Sequence, residues 1–208
     1  ETLETNLNVF ADFDPQLTPE YRISEFLFLG NIDPVLQLSV LRQMRNPKIT
    51  ACDTMNFWIE RKKAELFEVI ENIDILFINE DEIRMLTEED NIYIAAKKCK
   101  KLGPDYIVIK QGAYGSMVFG EEFLFFAPAY PLENVIDPTG AGDSFAGGFM
   151  GYLAGCNDIS EQKIREAAIC GTVTASFNVQ DFSLDMLKTA DITAINKRKE
   201  QIRKYVLF

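Results

Sequence analysis

The chain has 208 residues, of which 47% are apolar and 12% aromatic, enough to bury a sizeable core in one domain spanning residues 1–208. It carries 21 Lys and Arg against 32 Asp and Glu, and the net charge of -11 disfavours nucleic acid and anionic membranes as partners. Histidine is absent, which excludes Ser-His and Cys-His nucleophile pairs and leaves a carboxylate as the expected base.

The cysteines and the start of the chain indicate its compartment. The four cysteines stand far apart without a Cys-x-x-Cys pair, so neither a disulfide framework nor a zinc site is predicted. No apolar run reaches the length of a membrane span, and the first residues lack the pattern of a signal peptide. We expect a soluble, cytoplasmic protein, and, because the sequence starts at Glu1 rather than Met, part of a longer chain.

The first half of the chain alternates short apolar runs with amphipathic stretches. The apolar runs that predict strands stand at 26–30, 48–52, 74–78 and 106–109. The amphipathic stretches that predict helices stand at 33–45, 59–72 and 90–102. This alternation predicts an α/β fold with a mostly parallel sheet covered by helices on both faces.

The second half changes character after Gly112. Residues 116–119 and 123–126 flank a glycine-containing turn and predict an antiparallel hairpin at the sheet edge. From Gly142 onward the chain is predicted to be mostly helical. At the other end, residues 2–10 alternate roughly between apolar and polar and predict a strand of a small accessory element.

The segment Asp-Pro-Thr-Gly-Ala-Gly-Asp-Ser-Phe at 137–145 is the most informative stretch. Its small residues let the backbone turn tightly beside a ligand, and the helix that follows presents unpaired N–H groups and a positive dipole end. This predicts a site for an anion such as a transferring phosphoryl group. Asp143 would take the proton from a substrate hydroxyl that attacks the terminal phosphate. The plain alternative is a turn formed by Gly140 and Gly142, with Asp143 as a helix cap.

Residues 137–148 resemble the C-terminal signature of the PfkB carbohydrate kinase family, which includes ribokinase and adenosine kinase. The resemblance implies a ribokinase-like fold and a kinase that transfers the γ-phosphoryl group of ATP to a hydroxyl of a sugar or nucleoside. It assigns the role of base, in contact with the substrate, to Asp143, and an anion hole to Gly140, Ala141 and Gly142. A homodimer of the full-length protein is a further expectation.

Two further motifs are similar to those of the family and follow in the same order. Asn79-Glu-Asp-Glu82 resembles its Asn-x-x-Glu motif, which implies that Glu82 organises water around Mg²⁺ and that Asn79 lies near the phosphates. Asn followed three residues later by Glu is also a common helix cap. A Gly-x-x-Gly turn implies nucleotide contacts from Gly112 and Gly115, and from Lys110, where many relatives have Thr or Ser.

Other residues correspond to the family less closely. Asn56, in an Asp/Asn-containing turn after a predicted strand, is given a substrate contact and a scaffold role with equal weight. Cys170 and Thr174 align with the wall of the family's adenine site, although helix packing with small residues explains them as well. Asp137 and Thr139 match part of a monovalent-cation site in several relatives, which implies K⁺, and Thr139 is also assigned to the nucleotide.

The resemblance corresponds to the later part of a family member. Relatives begin with a strand carrying a Gly/Asp substrate contact, a Gly-Gly turn and the strands of a lid, and no counterparts of these residues stand in this sequence. The lid is therefore expected to be incomplete, with a remnant within residues 1–20. We expect a fragment of an active kinase that turns over poorly alone, because a lid excludes water and orients the acceptor.

Two other functions remain as alternatives. One is a non-catalytic kinase-like module that binds nucleotide or a partner protein, although Asp143 and Glu82 argue against it because binding alone needs no positioned base. The other is a nucleotide-binding oxidoreductase, which is disfavoured because no Gly-x-Gly-x-x-Gly joins the first strand to a helix. The basic run at 196–204 is interpreted as a solvated helix face rather than a nucleic-acid site.

Overall fold

The computed structural model describes Phe10 and residues 13–206. Within these residues, six strands form one sheet in the order β1-β2-β3-β4-β5-β6. The first four strands pair in parallel, and β5 and β6 add antiparallel pairs at one edge. The strands are β1 Phe26–Leu29, β2 Ile49–Asp53, β3 Ile75–Asn79, β4 Tyr106–Lys110, β5 Ser116–Phe119 and β6 Leu124–Ala127.

The helices connect the parallel strands and then fill the last third of the chain. They are α1 Pro19–Arg22, α2 Pro34–Gln43, α3 Asn56–Arg61, α4 Lys63–Ile70, α5 Glu80–Thr87, α6 Ile92–Lys100, α7 Ala141–Ala154, α8 Glu161–Asn178 and α9 Ile192–Val206. Short 3-10 helices lie at Gly112–Tyr114 and Leu187–Thr189. Among the described helices, none is both long enough and apolar enough to cross a bilayer.

The sheet is buried on both faces, as predicted. On β3, Leu76 and Ile78 lie in the core formed with α2, α4, α5 and α6, whereas Ile75 and Phe77 lie in the core formed with α7 and α8. Successive side chains of a strand point to opposite faces, so a fully buried strand reads as a continuous apolar run. The helices between parallel strands share one face, as expected for crossovers of the usual right-handed sense in a sheet whose strand order never reverses.

Two helical segments differ from the sequence prediction, and one predicted strand lies almost wholly outside the described residues. The helix predicted over 59–72 is two helices, because Lys62 leaves the helical conformation with φ -138° and ψ 44°. The Lys62 ammonium group contacts Asp33, with Nζ 2.6 Å from Oδ2. Helix α5, which follows β3 directly, was not predicted. The accessory strand predicted over 2–10 falls almost wholly outside the described residues.

Candidate active site

The carboxyl ends of β2, β3 and β4 meet at one edge of the sheet. Asn79 and Lys110 are register partners, and Asp53 is the partner of Phe77, two residues before Asn79. Open parallel sheets bind their ligands outside this edge. The strands thus bring together polar side chains that stand far apart in the sequence.

Helix α7 begins at the glycine turn that the sequence singled out. Gly140 has φ 78°, in the left-handed region, and is the N-cap of the helix. The N–H of Ala141 donates to Pro138 O at 3.1 Å and that of Ser144 to Gly140 O at 2.8 Å. Within the described part of the chain, the N–H groups of the two intervening residues, 142 and 143, have no acceptor. The turn therefore offers two free donors at the positive end of a helix dipole.

Lys110 reaches this turn from the end of β4. Its Nζ lies 3.3 Å from the position that a Cβ on Gly142 would occupy. The same atom lies 2.8 Å from Oδ1 and 2.6 Å from Oδ2 of Asp53. The side chains of Lys110 and Asp53 are only 19% and 5% exposed, so this is a largely buried ion pair.

Asp53 experiences the charges of the whole site. Burial raises the pKa of Asp53, and the Lys110 ammonium and the Thr54 N–H group lower it. The charge of Asp143 raises the pKa of Asp53 further. Asp143 itself is exposed in the first turn of α7. The charge of Asp143, the predicted base, is therefore felt at the buried ion pair, and the Asp143 side chain itself is accessible to a substrate.

Asn79 and Glu82 form a reciprocal cap at the start of α5. Asn79 Oδ1 accepts from the Glu82 N–H at 2.9 Å, and Glu82 Oε2 accepts from the Asn79 N–H at 2.8 Å. Burial raises the pKa of Glu82, whereas the Asn79 N–H and the charge of Lys110 lower it. The motif thus caps a helix, as its sequence allows, and Glu82 also experiences the charges of Lys110 and Asp53.

The acidic groups at this edge suit a hard cation that keeps most of its water. Asp53, Glu82 and Asp143 supply carboxylate oxygens, the ligand type that Mg²⁺ prefers. Over the described residues, no group of three His, Cys, Asp or Glu side chains is placed to hold a metal ion. Mg²⁺ at this edge would depend on water and phosphate oxygens, which fits a role for Glu82 through water.

A cleft of about 540 Å³ opens beside the start of α7. Its volume lies in the range of about 300–1,000 Å³ that is typical of small-molecule sites. The walls are mostly apolar, and Ala141 belongs both to the wall and to the glycine turn. Residues that line the cleft include Gly112, Gly115, Tyr130, Ala141, Phe145 and Ser176. A ligand with a flat apolar group and an anionic tail can occupy the cleft and the turn together.

Gly115 shapes the side of the cleft next to β5. It has φ 104°, and a Cβ at this position would lie 2.1 Å from Ala127 O and 2.6 Å from Ala129 N. The backbone after β4 therefore packs directly on the loop after β6 with no room for a side chain. Gly112, with φ 55°, makes the tight turn three residues earlier. The structure places both predicted glycines in the cleft wall.

Helix α9 supports the outer wall of the cleft. The Arg198 guanidinium lies 3.6 Å from the ring centroid of Phe177 and 4.7 Å from that of Tyr130. Arg198 also donates to Ser176 Oγ at 2.7 Å, and burial lowers the pKa of its guanidinium. Tyr130 and Ser176 both line the cleft. Arg198 thus departs from the solvated helix face predicted for this run.

Cys170 and Thr174, assigned from the sequence to an adenine site, are not among the lining residues. Thr174 Oγ1 donates to Cys170 O at 2.9 Å. A Cβ on Gly148 would lie 2.3 Å from Thr174 Oγ1, so α7 and α8 pack closely at this point. The α8 wall of the cleft is formed instead by other residues, among them Thr172 and Ser176. Helix packing accounts for both small residues.

Asp137 and Thr139 form a tight turn just before the glycine turn at residues 140–143, which is called the anion turn below. The Thr139 N–H donates to Asp137 Oδ1 at 2.9 Å and lowers the pKa of Asp137. Asn178, which is 2% exposed, lies beside Gly140, and its Oδ1 has no partner within the described residues. Oxygen atoms suited to a monovalent cation are thus gathered here. Asn56 stands at the start of α3, three residues after Asp53, and is exposed and without a side-chain hydrogen bond to the described residues.

Curated relatives are similar to this chain over about half of their own length. The cytidine kinase of Thermococcus kodakarensis is 33% identical over 141 residues, which are 65% of this chain and 50% of the relative. The nucleoside kinase of Methanocaldococcus jannaschii is 26% identical over 170 residues, which are 79% of this chain and 52% of the relative. The chain therefore spans about half the length of these relatives.

Solved structures show the fold. The Methanocaldococcus jannaschii nucleoside kinase, an archaeal member of the ribokinase family, matches 93% of this chain and 60% of its own, with TM-score 0.73 and 21% identity. The fructokinase of Vibrio cholerae, bound to fructose, ADP and calcium, matches 88% and 62%, with TM-score 0.74 and 19% identity. These likenesses establish a ribokinase-like α/β fold. The model of the pfkB family carbohydrate kinases matches residues 3–189, and the chain belongs to that family.

Proposed function

We propose that this chain carries the nucleotide site and the catalytic base of an ATP-dependent kinase that phosphorylates a hydroxyl of a sugar or nucleoside. One observation carries the proposal: exposed Asp143 stands at two N–H groups that have no acceptor among the described residues, beside a cleft of about 540 Å³. Relatives named cytidine kinase and nucleoside kinase support the acceptor class. Because the chain spans about half of these relatives, the activity belongs to the whole protein.

In the proposed reaction the cleft holds the nucleoside part of ATP and the start of α7 receives the phosphates. The N–H groups of Gly142 and Asp143 donate to the transferring phosphoryl group, and the helix dipole adds to this attraction. Gly112 and Gly115 bring the backbone close to the nucleotide. The anion hole thus works through local donors, which suits a chain of net charge -11.

Asp143 is proposed to act as the general base. Its carboxylate takes the proton of the acceptor hydroxyl while the hydroxyl oxygen attacks the γ-phosphorus in line, and the bond to the bridging oxygen of ADP breaks. Glu82 would hold Mg²⁺ through water, with Asn79 near the phosphates, and the ion would supply positive charge to the triphosphate. Asp137 and Asn178 are proposed to hold K⁺ beside the anion turn.

The test separates nucleotide binding from phosphoryl transfer. Binding of ATP is measured on this chain, and ATP consumption is measured on the full-length protein with a panel of pentoses, hexoses and nucleosides. In Asp143→Asn we expect ATP binding to persist and turnover to fall about 10²- to 10⁴-fold, the usual contribution of a general base. Asp105→Asn, an exposed residue at the opposite end of β4, is the matched control.

Two outcomes would contradict the proposal. Full turnover by the Asp143→Asn protein would overturn the role of the base. A full-length wild-type protein that binds ATP but phosphorylates no acceptor in the panel would support the non-catalytic module instead.

A further inference from the structure

Lys110 places a cation at the anion turn, and that cation is already partnered. Its Nζ contacts both carboxylate oxygens of Asp53 and lies 3.3 Å from the Cβ position of Gly142. An ammonium group has three donors, so two directed at Asp53 leave one free. A phosphate bound to the N–H groups of residues 142 and 143 would stand beside that ammonium.

The local charge makes this pairing consequential for a phosphate ligand. The charges of Lys110 and Asp143 both shift the pKa of Asp53, and the charges of Lys110 and Asp53 both shift the pKa of Glu82. The three carboxylates and the ammonium group therefore share one electrostatic environment. With Lys110 neutralised by Asp53, the site keeps the negative charges of Glu82 and Asp143. A triphosphate is therefore attracted most strongly when the Lys110 ammonium moves from Asp53 towards the phosphate.

We propose that Asp53 is the resident counter-ion of Lys110, and that the terminal phosphate of a nucleoside triphosphate competes with Asp53 for the ammonium group. The inference rests on the proposed function and deepens it. Lys110 contacts the phosphate, whereas Asp53 is a positioning residue that acts through Lys110. The pair thereby sets how strongly the site prefers a triphosphate to a diphosphate.

A purely structural role for the pair makes a different prediction. Asp53 and Lys110 lie at the ends of β2 and β4, on either side of β3, so the ion pair also ties these strands together. If this were its whole function, loss of either partner would lower stability and leave the preference between nucleotides unchanged. Competition for the ammonium instead predicts opposite changes in triphosphate affinity for the two single variants.

The experiment measures the affinity of this chain for ADP and for a non-hydrolysable ATP analogue, with magnesium, by calorimetry. In Lys110→Met we expect the affinity for the ATP analogue to fall about tenfold, the value of one charge-assisted hydrogen bond, with a smaller effect on ADP. In Asp53→Asn we expect the ATP analogue to bind about three- to tenfold more tightly, because the ammonium has lost its competitor. Lys101→Met and Asp105→Asn, both exposed and far from the turn, are the charge-matched controls.

The double variant Asp53→Asn/Lys110→Met keeps the test sound if Lys110→Met folds poorly. Removing Lys110 alone leaves a buried carboxylate without its cation, whereas the double variant leaves none. We expect the double variant to unfold at a higher urea concentration than Lys110→Met and to bind the ATP analogue more weakly than the wild-type chain does. Recovery of wild-type nucleotide preference together with stability would assign the pair a structural role and overturn the inference.

Failure of the inference differs from failure of the proposed function. If the wild-type chain binds neither nucleotide, the proposed nucleotide site and the inference are both wrong. If it binds both nucleotides and Asp53→Asn weakens the ATP analogue as much as Lys110→Met does, only the counter-ion competition is wrong.

Discussion

The glycines of this protein differ in whether the backbone conformation and the available space require glycine. Gly115 combines φ 104° with a Cβ position 2.1 Å from Ala127 O, so both conformation and space demand glycine. Gly151, near the C-terminal end of α7, has no heavy atom within 4 Å of its Cβ position apart from its chain neighbours and the adjacent helix backbone. The two residues therefore allow a comparison between a required glycine and one that the helix merely tolerates.

Gly115→Ala is predicted to lower the free energy of unfolding by more than about 1 kcal/mol, because the backbone must shift to relieve both strain and contact. Since Gly115 lines the cleft, nucleotide affinity is expected to fall as well. Gly151→Ala is predicted to raise the free energy of unfolding by about 0.5–1 kcal/mol, because glycine is unfavourable inside a helix. Urea denaturation of both variants checks the prediction, and equal shifts in the same direction would contradict it.

Single residues also show where sequence information ends. The glycine turn and Asp143 could be found in the sequence because the residues that shape the anion turn are consecutive. The Lys110–Asp53 pair could not, because its members are 57 residues apart and neither position specifies the other. Cys170 and Thr174 were assigned to the nucleotide because they align with the wall of the family's adenine site; α8 does line the cleft, but neither of these two residues does.

At the scale of elements, Asn79 and Glu82 stabilise the start of α5, independently of any ligand that they bind. Asn79 and Glu82 cap the helix reciprocally, and an Asn also caps α6, where Asn91 Oδ1 accepts from Tyr93 N at 3.0 Å and Ile94 N at 3.2 Å. The two caps are similar in chemistry, but of the two only Asn79 lies at the ligand edge of the sheet. They can therefore separate capping from ligand binding.

Asn79→Ala and Asn91→Ala are each predicted to lower the free energy of unfolding by about 1 kcal/mol, the usual value of an N-cap. Only Asn79→Ala is expected to weaken binding of magnesium and ATP, because the Glu82 N–H loses its acceptor and the first turn of α5, which carries Glu82, is less firmly held. Thermal unfolding and calorimetric titration of both variants measure the two effects. Unchanged affinity in Asn79→Ala would leave the motif with capping alone.

Most elements were predictable from apolar periodicity, and the exceptions have local causes. The strands and the hairpin match their predicted positions because each is a short, mostly apolar run. The break at Lys62 was missed because the amphipathic pattern continues from α3 into α4 across it. Helix α5 was missed because it is only eight residues long and begins directly at the end of β3.

At the scale of the whole molecule, Phe77 joins the sheet to the helices of the site. It is fully buried, and its ring centroid lies 5.8 Å from that of Phe28, 6.2 Å from that of Phe145 and 5.2 Å from that of Phe149. Phe145 follows Asp143 by two residues and lines the cleft. Packing at the centre of the sheet thus positions α7, the helix that carries Asp143.

Phe77→Ala is predicted to lower the free energy of unfolding by about 3–5 kcal/mol, because it opens a large cavity in the core. ATP affinity is expected to fall with it, since α7 loses its support. Phe126→Ala is the control of the same residue type, because its side chain is 61% exposed on the edge strand β6. Urea denaturation and ATP titration measure both effects, and similar losses in the two variants would contradict the assignment.

The architecture as a whole followed from the sequence, but the cleft did not. Alternating runs and helices specify a two-sided parallel sheet, and that sheet is present. Tyr130 lies in a loop without a motif, and Arg198 lies in a basic run that resembles any solvated helix. Neither carries a local signal, because each acquires its role only through contacts made in the folded chain.

The support that α9 gives to the cleft has a consequence for synthesis. Gly112 and Tyr130 form one side of the cleft, and Arg198, which holds Tyr130 and Ser176, lies almost at the end of the described chain. Domains fold progressively as the ribosome releases them, N-terminal parts first. The sheet and the start of α7 can therefore form on a nascent chain while the wall that contains Tyr130 is still unsupported. The cleft is complete only after α9 has emerged and docked.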